Sequence, residues 1–126
     1  MTPHDTPVLY SVDLGGCSAI ANLQPELVTT AFVAALEGAG ATVVQSVAHN
    51  FPGTGLTCIL ILAESHAVLH TWPETGTVNI DIFSCSTRLR SLAAIAQLKH
   101  SFGATSVTIQ EIPRADGHLP SPLNRA

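Results

Sequence analysis

Residues 56–85, LTCILILAESHAVLHTWPETGTVNIDIFSC, decide the fold. Leu56 to Ala63 is a short, mostly apolar run that fits one buried strand, although its period alone leaves a helix open. His66 to Trp72 reads as the next strand, with His66, Val68, His70 and Trp72 on one face by the two-residue period. Pro73-Glu74-Thr75-Gly76 turns the chain. Val78, Ile80 and Ile82 then alternate with Asn79, Asp81 and Phe83, a half-buried strand that ends at Ser84-Cys85.

Working outward, Pro52-Gly53-Thr54-Gly55 is a loop signal, and Thr42 to Ala48 before it is a strand. Val8 to Leu14 is a strand closed by Gly15-Gly16. Pro25 fits the first turn of a helix, with Asn22 or Gln24 as its cap, and Leu27, Val28, Ala31, Phe32, Ala35 and Leu36 recur at helical spacing. Gly38 and Gly40 stop that helix. A second helix is predicted from about Thr87 to Phe102, carrying Leu89, Leu92, Ala93 and Ala96 and stopped by Gly103. A final strand covers Thr105 to Ile112, and residues 113–126, with Pro113, Pro120 and Pro122, read as a tail.

The order of strand, helix, four strands, helix, strand, with short connections, predicts an α+β fold. It is a two-layer α/β sandwich with a mainly antiparallel sheet and both helices on one face. The whole chain, 1–126, is expected to be one domain. The sheet's other face would be open in a monomer, so sheet-to-sheet pairing into a homodimer is expected.

Composition supports that expectation. The chain is 46% hydrophobic and only 11% charged, against roughly a quarter charged in an average soluble protein. A formal charge of -4 with five Lys and Arg leaves no basic stripe for phosphates, so no nucleic-acid partner is expected. No apolar run approaches the roughly 20 residues of a membrane helix, and Met1 to Tyr10 lacks the pattern of a secretion signal. No membrane association and a cytoplasmic location are therefore expected. Cys17, Cys58 and Cys85 are odd in number and widely spaced, which fits neither a disulfide framework nor a zinc pair, and no metal is expected.

Chemistry concentrates between Glu64 and Cys85, where Ser65, His66, His70, Glu74 and Cys85 sit among apolar strands. Ser65 with His70 could suggest a hydrolase nucleophile and base, but there is no G-x-S-x-G elbow. His66 and His70 are spaced for a shared metal on a helix, whereas in a strand that spacing separates them. Taken singly, each of these residues has an ordinary structural use. His4, His49, His100 and His118 receive no role, and Cys17 and Cys58 are read as packing residues.

The run Glu64-Ser65-His66-Ala67-Val68-Leu69-His70-Thr71-Trp72-Pro73-Glu74, followed by Asp81-Ile82-Phe83-Ser84-Cys85, resembles the prokaryotic class of S-adenosylmethionine decarboxylase. The likeness extends more loosely from Asp13-Leu14-Gly15-Gly16-Cys17 to Glu111. It implies a proenzyme that cleaves itself between Glu64 and Ser65. Ser65 would attack the Glu64 carbonyl, form an ester, and lose the Glu64 carboxylate by β-elimination, with His70 resembling the processing base. Ser65 would thereby become a pyruvoyl group, the only cofactor, which takes the substrate α-amine into a Schiff base and accepts the electrons released with carbon dioxide. Cys85 resembles the proton donor that then protonates the α-carbon.

The same resemblance aligns Phe51 and Trp72 with aromatic positions that stack on adenine, and Glu74 with a carboxylate that binds ribose hydroxyls. Thr57 stands where a serine usually assists processing, keeping the hydroxyl but adding a stiff methyl. Cys58, Asn50, Ser86, Arg88 and Arg90 also depart from the family pattern. The expected reaction is decarboxylation of S-adenosylmethionine for spermidine synthesis in polyamine biosynthesis. Decarboxylation of ornithine or arginine with the same pyruvoyl chemistry is the alternative, and an unprocessed, non-enzymatic binding or regulatory protein is the contrasting class.

Overall fold

The computed structural model describes residues 6–85 and 89–117. It holds six strands, β1 (Val8–Gly15), β2 (Val43–Phe51), β3 (Gly55–Leu62), β4 (Ser65–Trp72), β5 (Thr77–Ser84) and β6 (Ser106–Pro113). The two α-helices are α1 (Pro25–Gly38) and α2 (Ser91–Phe102), and a short 3-10 turn covers Ile20–Asn22. The strands form one sheet in the order β2-β3-β4-β5-β1-β6, every neighbouring pair antiparallel. This is the expected two-layer α+β sandwich.

Period-two burial explains why the strands sit as they do. Leu56, Cys58, Leu60 and Leu62 of β3, Ala67, Leu69 and Thr71 of β4, and Val78, Ile80, Ile82 and Ser84 of β5 are all buried on one face. Val12 and Leu14 of β1 join them, and Val28, Phe32, Ala35 and Leu36 of α1 with Ala94, Ile95, Leu98 and Phe102 of α2 close the layer above. The fully buried Phe32, Phe102, Leu14, Leu60, Leu69 and Ile80 form its centre. Each contributes about 1.5–3 kcal/mol by removal from water.

Among the described residues no helix covers the opposite face. Val47, Ile59 and Ile61 there are each 40–48% exposed, and Ile112 is 39% exposed. Edge strands β2 and β6 are exposed along nearly their whole length, and a bulge between Val43 and Gln45 distorts the β2 edge.

Several expectations shift at helix ends. Both predicted caps of α1 fail as side-chain caps: Asn22 closes the 3-10 turn, and Gln24 holds the cap position without a side-chain bond. Leu27 of α1 is 53% exposed, turned from the core although its spacing suggested otherwise. Helix α2 begins at Ser91, so Leu89 precedes it, and its buried stripe is Ser91, Ala94, Ile95, Leu98 and Phe102. Leu92, Ala93 and Ala96, the predicted face, are exposed, one step around the helix from that buried stripe. Ser86, Thr87 and Arg88, with the tail beyond Gly117, lie outside the described residues. Pro113, placed in the tail by the sequence, ends β6 opposite Val8. Gly103 caps α2 in the left-handed region, as expected.

The β2–β3 hairpin depends on one glycine. Gly55 has φ +115°, and a Cβ there would lie 2.0 Å from the Thr71 carbonyl oxygen of β4. Neither the backbone torsion nor the contact can be relieved by rotating a side chain. Gly55→Ala is expected to destabilise the fold by about 3 kcal/mol or more, measured by urea unfolding in an uncleavable Ser65→Ala background. A loss below about 1 kcal/mol would show that the hairpin relaxes around the added methyl.

Candidate active site

Strand β4 begins immediately after a two-residue turn, because Leu62 of β3 pairs with Ser65 and leaves Ala63 and Glu64 between them. Glu64 has φ +66°, the one non-glycine in the left-handed region among the described residues. That conformation costs a non-glycine residue about 1–2 kcal/mol. Ala63 N–H donates to the Thr42 carbonyl at 3.0 Å, which ties the turn to the start of the β2 segment.

Cys85, just past the end of β5, closes over this turn. Its backbone N–H donates to Ser65 Oγ at 3.4 Å, and its Sγ lies 3.9 Å from the same oxygen. The Cys85 thiol also donates to the carbonyl oxygen of Glu64. The scissile carbonyl predicted from the sequence, its neighbouring hydroxyl and a thiol therefore meet at one point. The other two cysteines differ in kind: Cys17 and Cys58 are buried in the core, and burial raises both thiols above their usual range, with a Thr29 hydrogen bond opposing the rise at Cys58. They suit packing, as the sequence suggested.

Thr57 and His70 are joined elsewhere. They are direct partners across β3 and β4, and Thr57 Oγ1 lies 2.6 Å from His70 Nδ1. The His70 ring packs edge-on against Trp72 at 4.5 Å between centroids and is 6.1 Å from Phe51. His49, without a role in the sequence reading, packs on Phe51 at 4.5 Å. Glu74 follows in the exposed turn after β4, whose Thr75 and Gly76 N–H groups both donate to the Trp72 carbonyl. A cavity of about 230 Å³ opens beside Phe51, lined by Asn50, Gly55, Thr71 and Pro73.

The predicted site residues thus form two groups at opposite ends of β4. Glu64, Ser65 and Cys85 occupy one end; Thr57, His70, Phe51, Trp72 and Glu74 occupy the other. Ser65 and His70 are five positions apart, roughly 17 Å along an extended strand. They also have opposite parity, so His70 shares the open face with His66, Val68 and Trp72 while Ser65 belongs to the row of Ala67 and Leu69. Within one subunit His70 does not reach Ser65.

Two further groups escaped the sequence reading. Asn79 donates to Asp13 at 2.7 Å and accepts from the Trp72 indole at 2.6 Å. His66, beside Ser65, stacks on Phe83 at 5.1 Å, and the Arg114 guanidinium lies 5.9 Å from the same ring. The polar side of the Val78–Phe83 alternation was the available signal for Asn79; nothing local in sequence joins Arg114 to Phe83. Among the described residues no three His, Cys, Asp or Glu side chains gather as a metal site, and no helix is long and apolar enough to cross a membrane.

The chain is a two-layer α+β sandwich with a hydroxyl and a thiol brought together at one end of β4. Residues 9–115 match the sequence profile of the family described as S-adenosylmethionine decarboxylase, and the chain belongs to that family. An S-adenosylmethionine decarboxylase proenzyme of Acidithiobacillus ferrooxidans is 37% identical over 89 residues, 71% of this chain and 67% of the relative. One from Pelotomaculum thermopropionicum is 38% identical over 81 residues, 64% of each chain. The crystal structure of the adenosylmethionine decarboxylase from Aquifex aeolicus superposes with a TM-score of 0.77 at 23% identity, covering 93% of this chain and 97% of that one, which shows the shared fold.

If the turn is strained at Glu64, glycine there should relieve it. In an uncleavable Ser65→Ala background, Glu64→Gly is expected to raise stability by about 1 kcal/mol, and Glu64→Asn by a smaller amount, in denaturant unfolding. A loss of stability in both variants would show that the Glu64 side chain holds the turn more strongly than its backbone resists it.

Proposed function

We propose that the chain is a self-processing, pyruvoyl-dependent decarboxylase of S-adenosylmethionine, which supplies decarboxylated S-adenosylmethionine for spermidine synthesis, and that it works as a homodimer with shared sites. The observation that carries this reading is the contact of Cys85 with both Ser65 Oγ and the Glu64 carbonyl. A hydrogen bond from the thiol polarises that carbonyl toward attack by the adjacent hydroxyl. Ser65 Oγ bonds to the Glu64 carbonyl carbon as its O–H bond breaks, the Glu64–Ser65 C–N bond breaks, and the Ser65 nitrogen takes up that proton and leaves as an amine. An ester now links the two residues.

Elimination needs a base at the Ser65 Cα proton. His70 of the same chain is a strand-length away, but the uncovered sheet face offers a route to a second one. Two such faces packed about 10 Å apart and related by a twofold axis near the middle of β4 bring each Ser65 end against the other's His70 end. Val47, Ile59, Ile61 and Ile112, exposed in one subunit, are buried by the same step. His70 of the partner subunit, held by the Thr57 hydroxyl as in this chain, then takes the Cα proton. The Cβ–Oγ bond breaks, Glu64 departs as a carboxylate, and hydrolysis of the dehydro residue releases ammonia and leaves the ketone. Thr57 supports His70 as a positioning group, the role its serine counterpart suggested.

The residues present fit a pyruvoyl group at position 65, since the Cys85 N–H and thiol already address that position. That group supplies an electron sink for the substrate's α-carbon. Cys85 Sγ holds the proton that the α-carbon takes up after carbon dioxide leaves. Phe51 and Trp72 offer aromatic faces to an adenine and to a sulfonium cation, and Glu74 offers a carboxylate to ribose hydroxyls. Nothing in this arrangement calls for a metal, a nucleic acid or a membrane, and the reading is of a cytoplasmic enzyme.

Intact mass tests the processing step. The wild-type chain should give two fragments divided between Glu64 and Ser65, the second without a free amino terminus, and Ser65→Ala should remain whole. Cys85→Ala should still cleave, but more slowly because the Glu64 carbonyl loses the thiol's hydrogen bond, and the cleaved form should lose turnover about a hundredfold or more. Co-expression tests the shared site: Ser65→Ala and His70→Ala chains should each stay uncleaved alone, whereas in mixed dimers the His70→Ala chain should be cleaved. Its persistence as a whole chain in the mixture would place both groups in one subunit. Release of labelled carboxyl carbon from S-adenosylmethionine, and not from ornithine or arginine, tests the substrate.

A further inference from the structure

We infer that Asp13 and Asn79 are positioning residues that fix the ring plane of Trp72 and, through it, the imidazole of His70. The pairing register aligns them. Asp13 of β1 lies directly opposite Asn79 of β5, Asn79 opposite His70 of β4, and His70 opposite Thr57 of β3. One row of polar side chains therefore crosses four strands on the open face. Trp72, two residues on from His70, reaches back diagonally to the same Asn79.

The chemistry of the three groups admits one arrangement. An ionised carboxylate only accepts hydrogen bonds and an indole N–H only donates, whereas a carboxamide does both at different atoms. Asn79 must therefore turn its Nδ2 to Asp13, at 2.7 Å, and its Oδ1 to Trp72 Nε1, at 2.6 Å. Reversing the amide would set oxygen against oxygen on one side and N–H against N–H on the other. With Nε1 tethered, the indole keeps the plane that meets His70 edge-on at 4.5 Å, and His70 is held from its other side by Thr57 at 2.6 Å.

Trp72 remains 42% exposed, so the tether leaves ring surface available to a ligand. An exposed indole without a tether samples several rotamers, and ordering one side chain on binding costs about 0.5–1.5 kcal/mol. Asp13 and Asn79 remove that cost before the substrate arrives. The inference rests on the proposed reading of Trp72 as a wall of the S-adenosylmethionine site.

Trp72 is the chain's single tryptophan, so its fluorescence reports on the tether directly. In the processed enzyme, Asn79→Ala is expected to shift the emission maximum and lower the anisotropy, and to raise KM for S-adenosylmethionine about five- to tenfold while kcat changes much less. Asp13→Ala, on a different strand, should reproduce both effects. Asp13→Asn, which keeps an acceptor oxygen for Asn79, should restore most of the wild-type signal and KM. Wild-type fluorescence in Asn79→Ala and Asp13→Ala, or altered fluorescence with an unchanged KM although S-adenosylmethionine perturbs wild-type Trp72 emission, would overturn the inference. If S-adenosylmethionine leaves wild-type Trp72 emission unchanged while the variants shift it, the substrate reading of Trp72 fails and the tether stands.

Discussion

Strand β4 is hydrogen-bonded on both sides, to β3 from Ser65–Leu62 to His70–Thr57 and to β5 from His66–Phe83 to Trp72–Thr77. Double pairing fixes its register, and register decides which side chains face the helices and which face away. Ala67, Leu69 and Thr71 are buried against the helical layer, leaving His70 and Trp72 on the open face. A slip of one residue would bury the imidazole and indole and expose Leu69. The separation of Ser65 from His70, the polar row from Asp13 to Thr57, and the apolar character of the uncovered face all follow from this pairing.

Much of the fold was legible because its signals are local. Alternation in Thr77–Ser84, the glycines around the turns and the helical spacing of Val28, Phe32, Ala35 and Leu36 each report the environment of a few neighbouring residues. The failures came where a nearby alternative was equally apolar. Leu92 and Ala93 are as hydrophobic as Ala94 and Ile95, so the sequence could not choose between stripes a single step apart on α2; packing against β1 and α1 chose. The start of α2 was misplaced for a related reason, since Arg90 spends its backbone N–H on the Ala39 carbonyl of the loop after α1, a contact between distant parts of the chain.

The candidate site shows the same division. Glu64, Ser65 and His70 could be named from one run, Glu64 to Glu74, and Cys85 from a second, Asp81 to Cys85, and the hairpin at Glu64-Ser65 delivers the first two together. Cys85 is twenty residues from Ser65, and only the β4–β5 pairing brings it to the turn. The grouping into two ends was implicit in strand parity, because five positions along a strand reverse the face. Asp13 and Asn79 are sixty-six residues apart and ordinary in composition, and their relation to Trp72 exists only in the register.

The distribution of charge gives the uncovered face its limits. With 11% of its residues charged, the chain has few groups to keep such a surface solvated, yet it places Asp13 and Asp81 there beside Ile59, Ile61 and Val68. A face meant only to be buried against another sheet has no need of carboxylates, and burying one unpaired is costly. Asp13 is paired to Asn79 and sits in the same row as His70 and Thr57, so its cost is offset where a ligand site is proposed. In the paired-sheet arrangement this row would not form a dry contact; it would line a pocket between sheets, with the aliphatic residues of β2, β3 and β6 sealing its surroundings. The combination of an apolar field and a hydrogen-bonded polar row is what a shared, water-restricted site requires, and neither component serves that purpose alone.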